Sequence, residues 1–150
     1  MPYVEVQEII RAPRAQVYEV VKDMPSYPRF MPNLKNVEVL ERRPGATVTE
    51  WVGTVKGATL RWTELDEFDD ENFRIHYRQL GGDLKKFEGD WILEETPEGT
   101  KVTLTVDFEI GIPMFATMLN PIARLVVRDN AEGMLKAVKE RLEKSEGRPG

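Results

Sequence analysis

The chain contains no cysteine. That excludes disulfides, thiol catalysis and cysteine-based metal sites, and it fits a reducing compartment. It has a single histidine, His76, so a His-rich metal site is excluded, and alternation turns that histidine to the wet face, away from any Ser-His-Asp set. No metal ligand set and no cofactor motif is expected. No apolar run approaches the roughly 20 residues that cross a bilayer. The N-terminus passes directly into Tyr3-Val4-Glu5-Val6 with no basic and apolar leader, so a cytoplasmic protein is the expectation. A dense basic cluster is also missing. The net charge is -5 with a pI near 5.1, and the pairs Arg42-Arg43 and Lys85-Lys86 are isolated. A nucleic-acid partner is therefore not expected.

What is present fits one globular unit of 150 residues, with 41% hydrophobic and 31% charged residues. Turn-forming groups recur at Pro44-Gly45, Lys56-Gly57, Asp69–Asn72, Gly81-Gly82-Asp83 and Pro97-Glu98-Gly99. The runs between them are rich in Val, Thr, Trp, Phe and Tyr. They predict strands at about 3–10, 34–43, 46–55, 58–68, 73–80, 86–95 and 101–110, joined as an antiparallel meander. Alternation gives each strand an apolar and a polar face: Val102, Leu104, Val106 and Phe108 oppose Lys101, Thr103, Thr105 and Asp107. Gly81-Gly82-Asp83 reads as a turn and not a phosphate loop, because no GK[ST] or helix start follows.

Two kinds of helix complete the pattern. Arg14 to Asp23 predicts a short helix with Val17, Val20 and Val21 inward, and Pro25, Pro28 and Pro32 then stiffen an aromatic segment holding Tyr27 and Phe30. From Ile112-Pro113 to about Lys144 a long helix is predicted, its apolar stripe running through Phe115, Met118, Leu119, Ile122, Val126, Met134, Val138 and Leu142. Pro121 either kinks it or starts a second segment capped by Asn120. Gly133 marks a close approach or room for a ligand. One domain spans 1–144, and 145–150 reads as a disordered tail.

The candidate site lies on the inner sheet face. Trp51, Gly53 and Val55 share one face of their strand; Leu60, Trp62, Glu64, Asp66 and Phe68 share one face of the next. If Trp62 points inward, so does Glu64. A carboxyl in an apolar cavity shifts its pKa upward or finds a partner, which makes Glu64 a ligand anchor or the best candidate for an acid/base group. If the strand bulges there, Glu64 is a surface residue. Tyr77 and Gln79 are inward polar candidates suited to a carbonyl or quinone oxygen. Phe87 and Trp91 line the same face, as pocket or as core. Phe30, Met31, Met114, Phe115, Met118 and Ile122 would meet at one end of the sheet as an adaptable mouth, or simply fill core. His76 falls with Arg74 and Arg78 on the wet face. Arg124 and Arg128 either are solvated or reach a ligand acid or an anionic membrane, where contact would be transient at most.

The order strand, two short helical segments, six strands, long helix resembles the helix-grip fold of the START and Bet v 1-like superfamily. Ile10-Arg11-Ala12-Pro13, Val17-Tyr18, Asp23, Tyr27–Pro32, Val37–Leu40, Gly82-Asp83-Leu84, Glu88–Trp91 and Pro97–Leu104 resemble its polyketide cyclase and coenzyme Q-binding branch. The resemblance covers nearly the whole chain. It implies an α+β fold with a curved antiparallel sheet of about seven strands wrapped around a long C-terminal helix. It also implies a cavity that binds a quinone, lipid or polyketide-like molecule, for transport or presentation. An enzyme of the polyketide aromatase/cyclase kind is the alternative. Such cyclases typically carry an inward Arg soon after the Trp-Thr pair, where this chain has Glu64 and Asp66, and alternation turns Arg61 outward. A third reading is an interaction protein like the ribosome-association toxin of the same branch, with a protein partner. Binding without catalysis is the leading expectation.

Overall fold

A computed structural model of the protein describes residues 3–55, 57–110 and 120–146. The elements run β1 (Tyr3–Ile10), α1 (Arg14–Lys22), a 3-10 helix (Met24–Arg29), β2 (Leu34–Arg43), β3 (Ala46–Val55), β4 (Ala58–Asp69), β5 (Arg74–Gly82), β6 (Lys86–Thr96), β7 (Gly99–Glu109) and α2 (Asn120–Glu146). The strands form one antiparallel sheet in the order β1-β7-β6-β5-β4-β3-β2. β2 to β7 are sequential hairpins; β1 closes the order by pairing with β7, Tyr3 opposite Asp107 and Ile10 opposite Thr100. This is the helix-grip arrangement: a curved sheet with a long C-terminal helix across its inner face.

Local chemistry explains the path. Gly45 and Gly57 turn two hairpins at φ +71° and +79°, values that cost a side chain strain. Register shifts in β2 and between Thr63 and Glu64 of β4 bend the sheet. Gly81 and Gly82 do not form the simple turn that the sequence suggests. Past the shift they continue β5, pairing with Thr63 and Trp62, and Asp83 extends the ladder by bonding Arg61 through backbone and side chain. A Cβ on Gly82 would lie 2.6 Å from the Trp62 backbone, so glycine is what lets β5 approach that tryptophan.

The core gathers Val4, Val6, Ile10, Val17, Val21, Tyr27, Ile75, Leu93, Phe108, Leu135, Val138 and Leu142 under α2. The helix is held mainly at its C-terminal half. Lys139 donates to the Ile9 carbonyl at 2.8 Å, and Glu143 accepts the Arg11 N–H at 3.1 Å. The N-terminal half of its described length lies over the open part of the sheet, where the chamber is found.

Two helix expectations need correction. The inward stripe runs through Ala123, Val127, Ala131, Leu135, Val138 and Leu142, while Ile122 is 49% exposed. Val138 and Leu142 lie on it as expected, but sequence reading followed bulky residues and so set Ile122, Val126 and Met134 one position early; small Ala123 and Ala131 carry the true face. Gly133 is exposed, with nothing within 4 Å of an added Cβ, so it serves neither close packing nor a ligand. Pro121 lies in the first turn of the described helix, where a missing N–H is harmless. The expected helical stretch from Pro113 to Leu119 lies outside the described residues. α2 includes Ser145 and Glu146, and the rest of the expected tail also lies outside.

Candidate functional site

Trp51 and Trp62 are direct cross-strand neighbours of β3 and β4, so both side chains fall on the inner face. Their rings stack, with centroids 5.7 Å apart and planes 11° apart. Phe87 meets Trp62 edge-on at 5.6 Å, and Tyr77 meets Phe87 at 5.5 Å. On the other side Tyr27, fully buried on the 3-10 helix, touches Trp51 at 5.7 Å and Trp91 at 6.3 Å. The prolines around Tyr27 fix this segment, and its hydroxyl donates to the Val21 carbonyl. An arc of six aromatic rings thus crosses the inner face.

Above the arc lie two adjoining apolar chambers between sheet and α2. They share Leu34, Trp62, Phe87, Val127 and Asn130 in their walls. Trp51, Glu64, Tyr77, Trp91 and Met134 line the inner chamber; Gly53, Leu60, Phe108, Ile110 and Val126 line the outer. At the rim, Asn33 donates to Asn130 Oδ1 at 3.2 Å and links the entry to β2 with α2.

One ionisable acid enters this apolar space. Glu64 is 3% exposed, and its Oε1 accepts the Trp62 indole N–H at 2.8 Å. Two residues on, Asp66 is fully buried. Its Oδ2 accepts from Thr49 Oγ1 at 2.6 Å and Thr47 Oγ1 at 3.3 Å, and Thr49 in turn accepts the Trp51 indole at 2.7 Å. No N–H or hydroxyl donor reaches Asp66 Oδ1. Burial first, then the neighbouring Asp66, push the Glu64 carboxyl well above its usual range, against a smaller opposing pull from Trp62. Asp66 is also raised by burial, but Glu64 and the two threonines hold it down. The two carboxyl groups influence one another: Asp66 adds to the rise of Glu64, and Glu64 holds Asp66 down. Of the two, Glu64 is the one that burial keeps protonated, and the threonine-supported Asp66 is the one that takes the charge.

The other expected site residues divide. Trp51, Trp62, Glu64, Tyr77, Phe87 and Trp91 come together at the chambers. Tyr77 is not a free donor: its hydroxyl gives its proton to the Thr105 carbonyl at 2.6 Å, and Gly89 leaves the room for that bond. Burial keeps the Tyr27 and Tyr77 phenols protonated, with Asp66 and Glu64 adding to the effect. Gln79 lies outside the lining. Its Nε2 donates to the Leu84 carbonyl at 2.7 Å because the shift at Thr63/Glu64 displaces this end of β5. Phe30 packs on Tyr27 under the Arg141 guanidinium, also outside the lining. Ile122 is exposed and lines neither chamber. Met114, Phe115 and Met118 lie outside the described residues. His76 faces outward beside Asp90 at 3.0 Å, Arg124 is exposed, and Arg128 reaches the Glu5 carbonyl.

Sequence reading missed Leu34, Val127, Asn33 and Asn130. The asparagines are 97 residues apart, and nothing local marks their meeting. Among the described residues no group of His, Cys, Asp and Glu is arranged to hold a metal, and no helix is long and apolar enough to cross a membrane.

Residues 10–135 match the family described as polyketide cyclase / dehydrase and lipid transport. Among solved structures, a Thermus thermophilus protein is 33% identical with a TM-score of 0.90, covering 96% of this chain and 99% of that one. The Zhui aromatase/cyclase of a Streptomyces species is 26% identical with a TM-score of 0.84, covering 95% and 93%. The actinorhodin polyketide synthase bifunctional cyclase/dehydratase of Streptomyces coelicolor is 30% identical over 65% of this chain, which spans only 32% of that relative. The ribosome association toxin RatA of Escherichia coli is 27% identical over 73% of this chain and 69% of its own.

Proposed function

The chain belongs to the polyketide cyclase/dehydrase and lipid transport family, and from that premise we propose that it binds a hydrophobic small molecule between the aromatic arc and α2. The observation that carries this reading is the lining: aromatic and aliphatic walls with Glu64, Asn33 and Asn130 as sparse polar anchors. Each 100 Å² of apolar ligand surface removed from water contributes about 2.5 kcal/mol before the costs of association. Quinones, lipids and polyketide-like compounds share the needed shape, an apolar body with few polar atoms. Native mass spectrometry of freshly purified protein, with organic extraction of whatever leaves it, tests the reading. A stoichiometric apolar compound supports it. Bare protein that also shows no thermal shift with quinones and fatty acids contradicts it.

One observation favours a second reading, a cyclase or dehydratase. Glu64 holds a proton beside the Asp66 carboxylate in an apolar chamber, which is what general acid–base chemistry on a carbonyl chain needs. The relatives named as cyclases support it. The acids Glu64 and Asp66 in place of the inward Arg argue against the same chemistry. A poly-β-ketone analogue that cyclises with wild-type protein and not with Glu64→Gln would favour the enzyme. The net charge of -5 weighs against tight contact with ribosomal RNA.

A further inference from the structure

The one carboxyl in the described lining of the two chambers is Glu64; Asp66, two residues on, is buried just outside that lining. The described lining of both chambers contains no Lys, Arg or His, and the sequence from 111 to 119 has no ionisable residue. Of the Glu64–Asp66 pair, Asp66 is the carboxyl that takes the negative charge. That charge is held by Thr49 and Thr47, both neutral donors, while Trp62 donates to Glu64, and Asp66 Oδ1 has no hydrogen-bond partner among the described residues. On the far side of Thr47 and Thr49 an outer cleft holds two cations, of which Arg42 is exposed and Lys22 is committed to Asp70 at 2.9 Å. Other titratable groups facing the pair are the protonated phenols of Tyr27 and Tyr77, and Asp23 adds negative charge from the start of the 3-10 helix.

Beside this charge stand the π-faces of Trp51 and Trp62, with Phe87 and Tyr77 next to them. Aromatic faces attract cations through their quadrupole, most strongly when water is excluded. A buried anion repels an acidic ligand and lets a cation recover its lost hydration. Both features select the same charge.

We propose that the chamber takes an apolar, aromatic ligand carrying one protonated nitrogen, which sits at Glu64, drawn by the adjoining Asp66 carboxylate, while its body stacks on the Trp62 side of the arc. This rests on the reading that the chamber binds a hydrophobic molecule, and it adds the sign of the ligand's charge. It also separates this chain from a binder of acidic lipids or enolates, for which the site offers no counter-ion among the described residues.

Three probes of one shape test it by calorimetry at pH 7.5: 2-naphthylmethylamine, 2-naphthalenemethanol and 2-naphthoate. The expected order is ammonium, then alcohol, then carboxylate, with the ammonium at least about tenfold tighter than the alcohol, the size of one desolvated cation–π or charge contact. In Asp66→Asn, checked for folding by circular dichroism, the ammonium-to-alcohol ratio should fall toward one, whereas Glu64→Gln, which leaves the Asp66 charge in place, should keep it. Equal wild-type affinities for ammonium and alcohol, or tighter naphthoate, overturn this inference and leave the hydrophobic-binding reading standing. No binding of any probe up to its solubility limit overturns both.

Discussion

Glu64→Gln should raise stability at neutral pH, by an amount that grows with pH. The glutamate lies in the chamber wall, 3% exposed, with its pKa well above the usual 4.5 chiefly because burial penalises the charged form. Below pH 4.5 the carboxyl is protonated in both folded and unfolded chains, and its contribution is fully present. Above pH 4.5 the unfolded chain loses the proton while the folded chain keeps it. Stability therefore falls as pH rises, by up to about 1.4 kcal/mol per pH unit, until the folded pKa is passed. For a chain of this size that is about 3–6 °C in Tm per unit. Glutamine cannot ionise, yet its carbonyl still accepts the Trp62 indole and its amide still donates toward Asp66. Asp70 and Glu143, both lowered by partners, lose stability only as pH falls toward the acid range, and they do so equally in both proteins. Scanning calorimetry of both proteins from pH 4.5 to 8 gives the difference directly. Curves that start together and diverge, the variant melting higher, are expected. Parallel curves, or a variant that loses stability at pH 7, would refute the buried, protonated Glu64.

Further expectations follow from single contacts. Gly89→Ala places a Cβ 1.9 Å from the Thr105 carbonyl oxygen, where backbone cannot yield, so urea unfolding should show a loss of about 3 kcal/mol. Trp91→Ala empties a 3%-exposed core position and should cost about 3–5 kcal/mol, whereas half-buried Trp62→Ala should cost less stability and more ligand affinity, as paired unfolding and binding titrations would show. The Trp51–Trp62 stack should give an exciton couplet in the far-UV circular dichroism that Trp51→Phe and Trp62→Phe each abolish. Tyr18→Phe removes the 2.7 Å bond to Asp70 and should cost about 1 kcal/mol by denaturant titration.

The sheet was legible because its signals are local. Alternation and glycine turns placed the strands within about two residues of their observed ends, the usual spread of such boundaries. The inward face of β4 was legible for the same reason: Trp62, Glu64 and Asp66 are two apart, and the Thr63/Glu64 shift alters β5 rather than β4. That same shift is why Gln79, paired opposite Glu64, bonds the Leu84 carbonyl instead of lining the chamber, since a bulge changes what a side chain meets without changing its place in the sequence. Ile122 was misjudged because a stripe drawn through large residues overlooks the alanines that let a helix lie close. The carboxyl pair could be suspected but not built. That Thr47 and Thr49 support Asp66, so leaving the proton to Glu64, depends on the β3–β4 register, with Thr47 opposite Asp66 and Thr49 opposite Glu64. Asn33 and Asn130 meet only through the tertiary fold.

The three tryptophans offer the most direct test of the central claim, because all three line the inner chamber. Indole N–H resonances of nitrogen-15-labelled protein can be followed while 2-naphthalenemethanol is added. Binding in the chamber predicts large, saturable shifts of the Trp62 and Trp51 indoles, with the exposed Leu40 and Leu80 amides unmoved. Saturable shifts confined to surface amides, with all three indoles still, would contradict it.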